Sequence, residues 1–220
     1  MANIDLISET VPPVTDLGTV LTLQQGRAHE FCGAARRVLA VWTLAQSAPD
    51  QMHLWIRMRW GRDRLFPQGL GDWLCPSRLI TLDAARDAEM LACAEEALRS
   101  GAVASVTLEM AAPPALTPLR RLHLAAESGL ARRQTRSRSA GLLALVLTPG
   151  DGGTPGVESR WQLVPCPAPN PPRINPVQPR WRLRRLRARM APPAAWHVDG
   201  AKAVSAAALR LWPERSETGV

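Results

Sequence analysis

The sequence predicts an α/β fold: a largely parallel central sheet flanked by helices, with an antiparallel extension at its C-terminal end. Three observations carry this expectation. Short β-rich runs alternate with segments of helical period from Arg27 to Leu147. The run Gly141-Leu-Leu-Ala-Leu-Val-Leu147 is apolar throughout, as a strand covered on both faces must be. Beyond Leu147 helical periodicity gives way to strand-like segments separated by turn residues. At 220 residues, 46% of them hydrophobic, the chain suits one ordinary domain with a sizeable core.

Residues 1–19 are polar, contain Pro12 and Pro13 and show no sustained period, so they read as a flexible N-terminal arm. The domain is expected over 20–199, with 200–220 as a C-terminal tail. Within it, Arg27 to Cys32 forms a short strand leading to Gly33. Ala34 to Gln46 is helical, with Val38, Val41, Trp42 and Ala45 on one face. Met52 to Met58 and Arg78 to Leu82 are strands. Ala84 to Ser100 places Met90, Leu91, Ala94 and Leu98 at helical spacing and stops at Ser100-Gly101. Ala102 to Leu108 is a strand, and Thr117 to Gly129 a helix with Pro118 near its start. Pro149 to Gly156 is a loop. Arg160 to Val164, Arg180 to Arg189 and Trp196 to Val198 are the strands of the extension, joined in part by the proline-rich stretch Pro165 to Pro179. No internal repeat of useful period is visible.

The formal charge of +8 is unevenly placed: no Asp or Glu stands between Glu158 and Asp199, while arginines recur from Arg160 to Arg189. The only lysine is Lys202, so arginine carries nearly all the positive charge. Cys32, Cys75, Cys93 and Cys166 lie far apart, with no pairing at zinc-ligand spacing, and read as small buried hydrophobes. Apolar stretches fall short of the roughly 20 residues that span a bilayer, and no signal peptide is recognisable, so a soluble cytoplasmic protein with no membrane partner is expected.

Several phrases resemble the RecA recombinase core. The segment Arg99-Ser-Gly-Ala-Val103, through Glu109 to Ala115-Leu-Thr-Pro118, is similar to the recombinase stretch that carries the Walker B acid. Gly26-Arg27 followed by His29-Glu30-Phe31-Cys32-Gly33 looks like the strand that enters the phosphate loop. Arg187-Ala-Arg-Met-Ala-Pro-Pro193 looks like that family's late basic strand. His29-Glu30, Gly69-Leu70, Glu95 to Val103 and Arg120 to Glu127 resemble recurring phrases of the ImuA family. The likeness spans about Val20 to Asp199. It implies a RecA-like fold and an accessory role in SOS-induced mutagenesis and translesion DNA synthesis. The partners it implies are RecA, an inactive Y-family polymerase of the ImuB type and, indirectly, an error-prone replicative-type polymerase.

The recombinase chemistry is missing from the residues themselves. A phosphate loop needs GxxxxGK[ST], whose amides cradle phosphates while the lysine neutralises them and the hydroxyl holds magnesium. The corresponding stretch, Gly33-Ala-Ala-Arg-Arg-Val-Leu39, has no second glycine and no Lys-Ser/Thr pair. Where the family has a catalytic glutamate after the second strand, Ile56-Arg-Met-Arg59 carries arginine. Thr148-Pro149 stands where a glutamine senses nucleotide. Glu109 remains at the Walker B position and reads as a relic or cap. Neither a catalytic residue nor a cofactor or metal ligand is assigned, and the chain is expected not to be an enzyme. The alternatives are a residual nucleotide-binding ATPase and a SulA-like inhibitor of cell division.

Two basic surfaces remain as candidates. Arg132, Arg133, Arg136 and Arg138 are expected in a polar connection matching roughly the first DNA-binding loop of RecA filaments. There they would neutralise phosphates without sequence preference; a solvated charged loop is the competing reading. In a regular strand, Arg180, Arg182 and Arg184 face one side, and Trp181, Arg185, Arg187 and Arg189 the other. The first three are candidate nucleic-acid contacts, against the alternative of a soluble edge strand. By the resemblance, Arg187 and Arg189 match the basic pair with which one RecA subunit reaches ATP on its neighbour, which makes them candidate RecA-interface residues.

Overall fold

A computed structural model describes residues 15–166, 180–199 and 209–214. Among the described residues nine strands form one sheet in the order β3-β2-β4-β5-β1-β6-β7-β8-β9. β1 (Ala28–Cys32), β2 (His53–Met58), β3 (Leu79–Ala84), β4 (Ser105–Glu109), β5 (Leu143–Leu147) and β6 (Ser159–Cys166) pair in parallel. β7 (Arg180–Ala188), β8 (Ala194–Asp199) and β9 (Arg210–Pro213) continue it antiparallel. This is the expected α/β class, including the C-terminal extension.

Helices cover the parallel strands on both faces. α2 (Arg36–Ala45) packs on one, where Phe31, Trp55, Leu145, Leu147, Trp161 and Leu183 meet Leu39 and Trp42. α4 (Asp87–Ser100) and α5 (Leu116–Arg136) pack on the other, where Ile56, Val106, Leu108, Ala144 and Val146 meet Met90, Leu98 and Leu122. Two short helices, α1 (Leu17–Val20) and α3 (Pro67–Gly71), are the other α-helices among the described residues. Double cover explains why β1 and β2 are buried at every position, whereas β3, at the sheet edge, is half-exposed. α4 ends as its sequence predicts, at Gly101 in the left-handed region with φ 65°.

Some boundaries differ from the sequence expectation for physical reasons. The ordered fold begins before residue 20: Asp16 caps α1 by accepting from the Thr19 amide at 2.8 Å, Leu17 and Val20 are buried, and Thr15 bridges to Leu211. It also reaches past 199, because Leu211 of β9 packs into the core beside Val198. α5 runs seven residues beyond Gly129, to Arg136. The proline-rich connection expected over Pro165–Pro179 lies mostly outside the described residues, as do most of the arm and tail. Of the cysteines only Cys32 is fully buried; Cys93 and Cys166 are half-buried and Cys75 is exposed, contrary to the uniform burial expected.

Candidate functional site

Open α/β sheets bind ligands outside the carboxyl ends of their strands. There, the turn from β1 into α2 occupies the position of a phosphate loop. Its amides point inward. The Gly33 amide donates to the Gly150 carbonyl at 2.8 Å, and the Ala35 amide to the Leu163 carbonyl at 3.0 Å. Gly33 has φ 87°, and a Cβ on it would lie 2.5 Å from the Leu163 carbonyl oxygen, so the turn is pressed against β6. Amides committed to protein carbonyls cannot cradle a phosphate.

The acid at the Walker B position is bonded to an arginine of this chain. Arg37 Nε donates to Glu109 Oε1 at 2.5 Å, a second guanidinium nitrogen meets the same carboxylate, and Trp55 Nε1 donates to Oε2 at 3.3 Å. Glu109 is thus a neutralised, nearly buried internal acceptor, consistent with the cap reading. Arg57, at the place of the missing catalytic acid, pairs with Asp83 at 2.8 Å and donates to the carbonyls of Gly61 and Asp63 at 3.1 and 3.2 Å. Arg36, Arg37, Arg57 and Arg62 line a cavity of about 220 Å³ between these groups.

Thr148, at the end of β5, serves a second buried carboxylate. Glu30 accepts from the Thr148 hydroxyl at 2.7 Å, the Thr154 hydroxyl at 2.7 Å, the Gly153 amide at 3.0 Å and the Thr154 amide at 3.1 Å, and pairs with Arg160. Burial alone pushes its carboxyl up, but these hydrogen bonds outweigh that and hold it below the usual carboxylate value. The 148–158 connection is thereby pinned to β1.

The expected arginine cluster is placed differently. Arg132, Arg133 and Arg136 are in the last turns of α5, not in a loop, and Arg138 follows them. α5 returns toward the start of β5, so they lie at the amino end of the parallel strands, away from the strand ends at which ligands gather. Arg132 donates to the Arg99 carbonyl at 3.0 Å and Arg133 to the Gly101 carbonyl at 3.1 Å and to Gln51. Both close off the C-terminal end of α4. Arg136 and Arg138 are exposed.

In β7 the first three arginines share a face, as expected, and each has an internal partner. Arg180 pairs with Asp199 at 2.7 Å, Arg182 forks onto Glu214 with both contacts at 2.5 Å, and Arg184 donates to Gln162 at 3.2 Å. On the opposite face Trp181 meets Trp42, and Arg185 lies over the Trp161 and Trp196 rings at 5.6 and 5.3 Å. Arg187 departs from the expected alternation. Trp161 is opposite Arg185 but Arg160 is opposite Arg187, so a bulge at Leu186 reverses the parity. Arg187 therefore shares the face of Arg160 and Arg184, not that of Trp181 and Arg185. Arg187 and Arg189 are both exposed, beside Met190, which is 90% exposed.

Sequence reasoning missed the segment between β2 and α3. Arg59, Arg62 and Arg64 are interspersed there with Trp60 and Phe66, which are 66% and 67% exposed. Interleaving of arginine with aromatics is visible in the sequence; the exposure of both rings is not.

No family model matches the chain. It is 34% identical over 157 residues to Protein ImuA of Caulobacter vibrioides, in each of two strains, NA1000 / CB15N and ATCC 19089 / CB 15. The match covers 68% of this chain and 61% of each relative, so the chain spans about three-fifths of the length of the relatives it matches. Among solved structures it is similar to the RadB recombinase, with a TM-score of 0.53 at 16% identity over 85% of this chain and 94% of that one. A looser likeness, TM-score 0.40 at 20% identity, links 55% of the chain to 97% of SulA from Pseudomonas aeruginosa. The recurring phrases in the sequence, the RecA-like order of the sheet and the identity to these relatives agree: the chain belongs to the ImuA family.

Proposed function

We propose that this protein is a non-catalytic accessory factor of SOS-induced mutagenesis and translesion DNA synthesis, which acts by binding RecA, an ImuB-type inactive Y-family polymerase, or both. Family membership supports the process. The observation that supports the non-catalytic part is the Arg37–Glu109 pair: an arginine of this chain holds the acid at the Walker B position, beside a turn in which the Gly33 and Ala35 amides are already bonded. A scaffold of this kind keeps the shape of a recombinase subunit without its nucleotide. Arg187 and Arg189, exposed at the end of β7, are the residues we assign to a RecA contact in which they approach the nucleotide of a terminal filament subunit. An error-prone replicative-type polymerase would be engaged only through these partners.

Copurification from DNA-damaged cells, followed by crosslinking, tests the reading: RecA or the ImuB-type polymerase is expected to be retained, and absence of both would sink it. ATP hydrolysis should stay at background. Turnover that disappears in Glu109→Ala would overturn the non-catalytic assignment. RecA filament binding by a folded Arg187→Ala/Arg189→Ala variant should weaken; wild-type behaviour would remove those two residues while leaving the scaffold intact.

A further inference from the structure

The segment 59–66 is held rigidly by a buried cation, and what it displays is unusual. Arg57, whose side chain is 6% exposed, anchors the segment through the carbonyls of Gly61 and Asp63 and is itself held by Asp83. Arg64 adds a bridge to Asp83 at 3.2 Å, and the Arg59 amide donates to the Ala84 carbonyl at 2.8 Å. On this fixed backbone Trp60 and Phe66 stand about two-thirds in solvent. Single exposed apolar residues are ordinary on protein surfaces; two aromatics within one eight-residue basic segment are not. Arg59 and Arg62 make no ion pair among the described residues.

Beneath Trp60 lies the cavity of about 220 Å³ lined by Arg36, Arg37, Arg57 and Arg62. Its two acids are already answered: Glu109 by Arg37 and Trp55, Asp63 by Arg37 at 3.7 Å. The cations are not all answered. Arg57 Nη2 and Arg36 Nε are buried with no hydrogen-bond partner among the described residues. An anion with several acceptor oxygens, the size of a phosphate group, fits the cavity and supplies acceptors to the guanidinium groups that line it.

We propose that this segment and cavity bind single-stranded nucleic acid: a backbone phosphate meets Arg57, Arg36 and Arg62, and an adjoining base stacks on Trp60, with Arg59 and Phe66 extending the track. Single strands are favoured over duplex because a base offers its face to an indole only when it is unstacked. Nucleic acid is favoured over an acidic protein because a phosphate-sized cavity with unanswered guanidinium donors adjoins the exposed ring. The site is separate from Arg187 and Arg189 and from the partner contacts proposed above, so either can fail without the other.

The test is fluorescence anisotropy of the full chain with labelled (dT)20, a matching 20-base-pair duplex, and ATP as competitor. Trp60→Ala should weaken (dT)20 binding about tenfold, the loss expected for one stacked base, while Trp60→Phe keeps most of the affinity. Arg59→Ala/Arg62→Ala should weaken binding and lower the salt slope by about 1.4, or about 0.7 for each phosphate contact removed. All these side chains are largely exposed, so unchanged circular dichroism and melting are expected to accompany the losses. The proposal is overturned if the wild type does not bind (dT)20, if Trp60→Ala binds it as tightly as wild type, or if ATP displaces it at equal nucleotide concentration, which would make this a mononucleotide site. Loss of RecA or polymerase copurification in Trp60→Ala with (dT)20 binding unchanged would also overturn it and identify a protein contact.

Discussion

The six parallel strands and the three antiparallel ones that follow use arginine in opposite ways. Around the parallel strands, Arg37 of α2, Arg57 and Arg160 pair with Glu109, Asp83 and Glu30, and of these three pairs the last lies deepest, with Glu30 fully buried and Arg160 19% exposed. In the extension, Arg180 and Arg182 lie along a sheet face that no described helix covers, and their partners Asp199 and Glu214 stand on that same surface. Both regions contain short, well-formed ion pairs. Only where water is excluded, as at the fully buried Glu30, does losing a partner strand a charge. The difference teaches that a cation's importance to the fold follows from its surroundings, while its availability to a ligand follows from whether a carboxylate has already claimed it.

Glu30 gives the sharpest way to break the comparison. It joins β1 to β6 and to the 148–158 connection through five hydrogen bonds and the Arg160 pair. Glu30→Gln keeps the shape, removes the charge and leaves Arg160 without its counterion. Removing one partner of a buried pair costs about 3–5 kcal/mol, and a loss near 4 kcal/mol in urea unfolding is expected here. A loss below about 1 kcal/mol would show that the interior pairs behave like those of the open face.

The next effect is set by pH and separates buried histidines from carboxylates. His29 donates from Nε2 to the Gln24 carbonyl at 2.9 Å, and its Nδ1 sits 2.7 Å from the Ser159 hydroxyl. His53 contacts Ser105 and Ser47, each at 2.9 Å, with Arg78 at 3.4 Å. Burial pushes both imidazoles down to about 4; His123 adds to the effect at His29, and Arg78 and Arg133 at His53. Because the folded value lies below the unfolded 6.5, the neutral rings favour the fold above pH 6.5, and that stability is lost as pH falls toward 4. Each should cost roughly 3 kcal/mol across the window. Glu30, lowered from 4.5, holds its contribution until lower pH, so the upper part of the acid limb belongs to the histidines. Unfolding curves between pH 7 and 5 should slope in the wild type and slope less in His29→Gln/His53→Gln, where His123, also lowered by burial, still contributes; an unchanged slope would place the protons elsewhere.

Legibility in the sequence divides along the same boundary. Of the strands from Ala28 to Leu147, β5 is the most readable because cover on both faces writes a continuous apolar run into it, whereas β1 and β2 bury His29, Glu30, His53 and Arg57 among their apolar residues. The loss of the phosphate loop is readable because it is a matter of residue identity at fixed spacing. That Arg37 holds the acid at the Walker B position is not, since its partner Glu109 is 72 residues away. Arg132 and Arg133 look like loop residues by composition; their helical state comes from carbonyls at the end of α4 that only tertiary packing brings near. The bulge at Leu186 likewise escapes a period-two reading, and it moves Arg187 to the other face.

The smallest effect is expected where an ion pair looks best on paper. Arg182 forks onto Glu214 with two contacts of 2.5 Å, and His197 approaches the same carboxylate at 3.3 Å. Yet Arg182 is 43% exposed, so water and salt screen the attraction, and holding two long side chains in one geometry offsets much of what remains. Arg182→Ala is therefore expected to cost about 1 kcal/mol or less, and the cost should shrink further in high salt. The pair does join β7 to the residue just beyond β9, so a local consequence is expected even where the global one is small: amide exchange in 210–214 should speed up while the parallel strands stay protected. A loss as large as that of Glu30→Gln would mean that this sheet face is covered in solution, and the contrast between the two regions would then lie in an occupant of that face rather than in the fold itself.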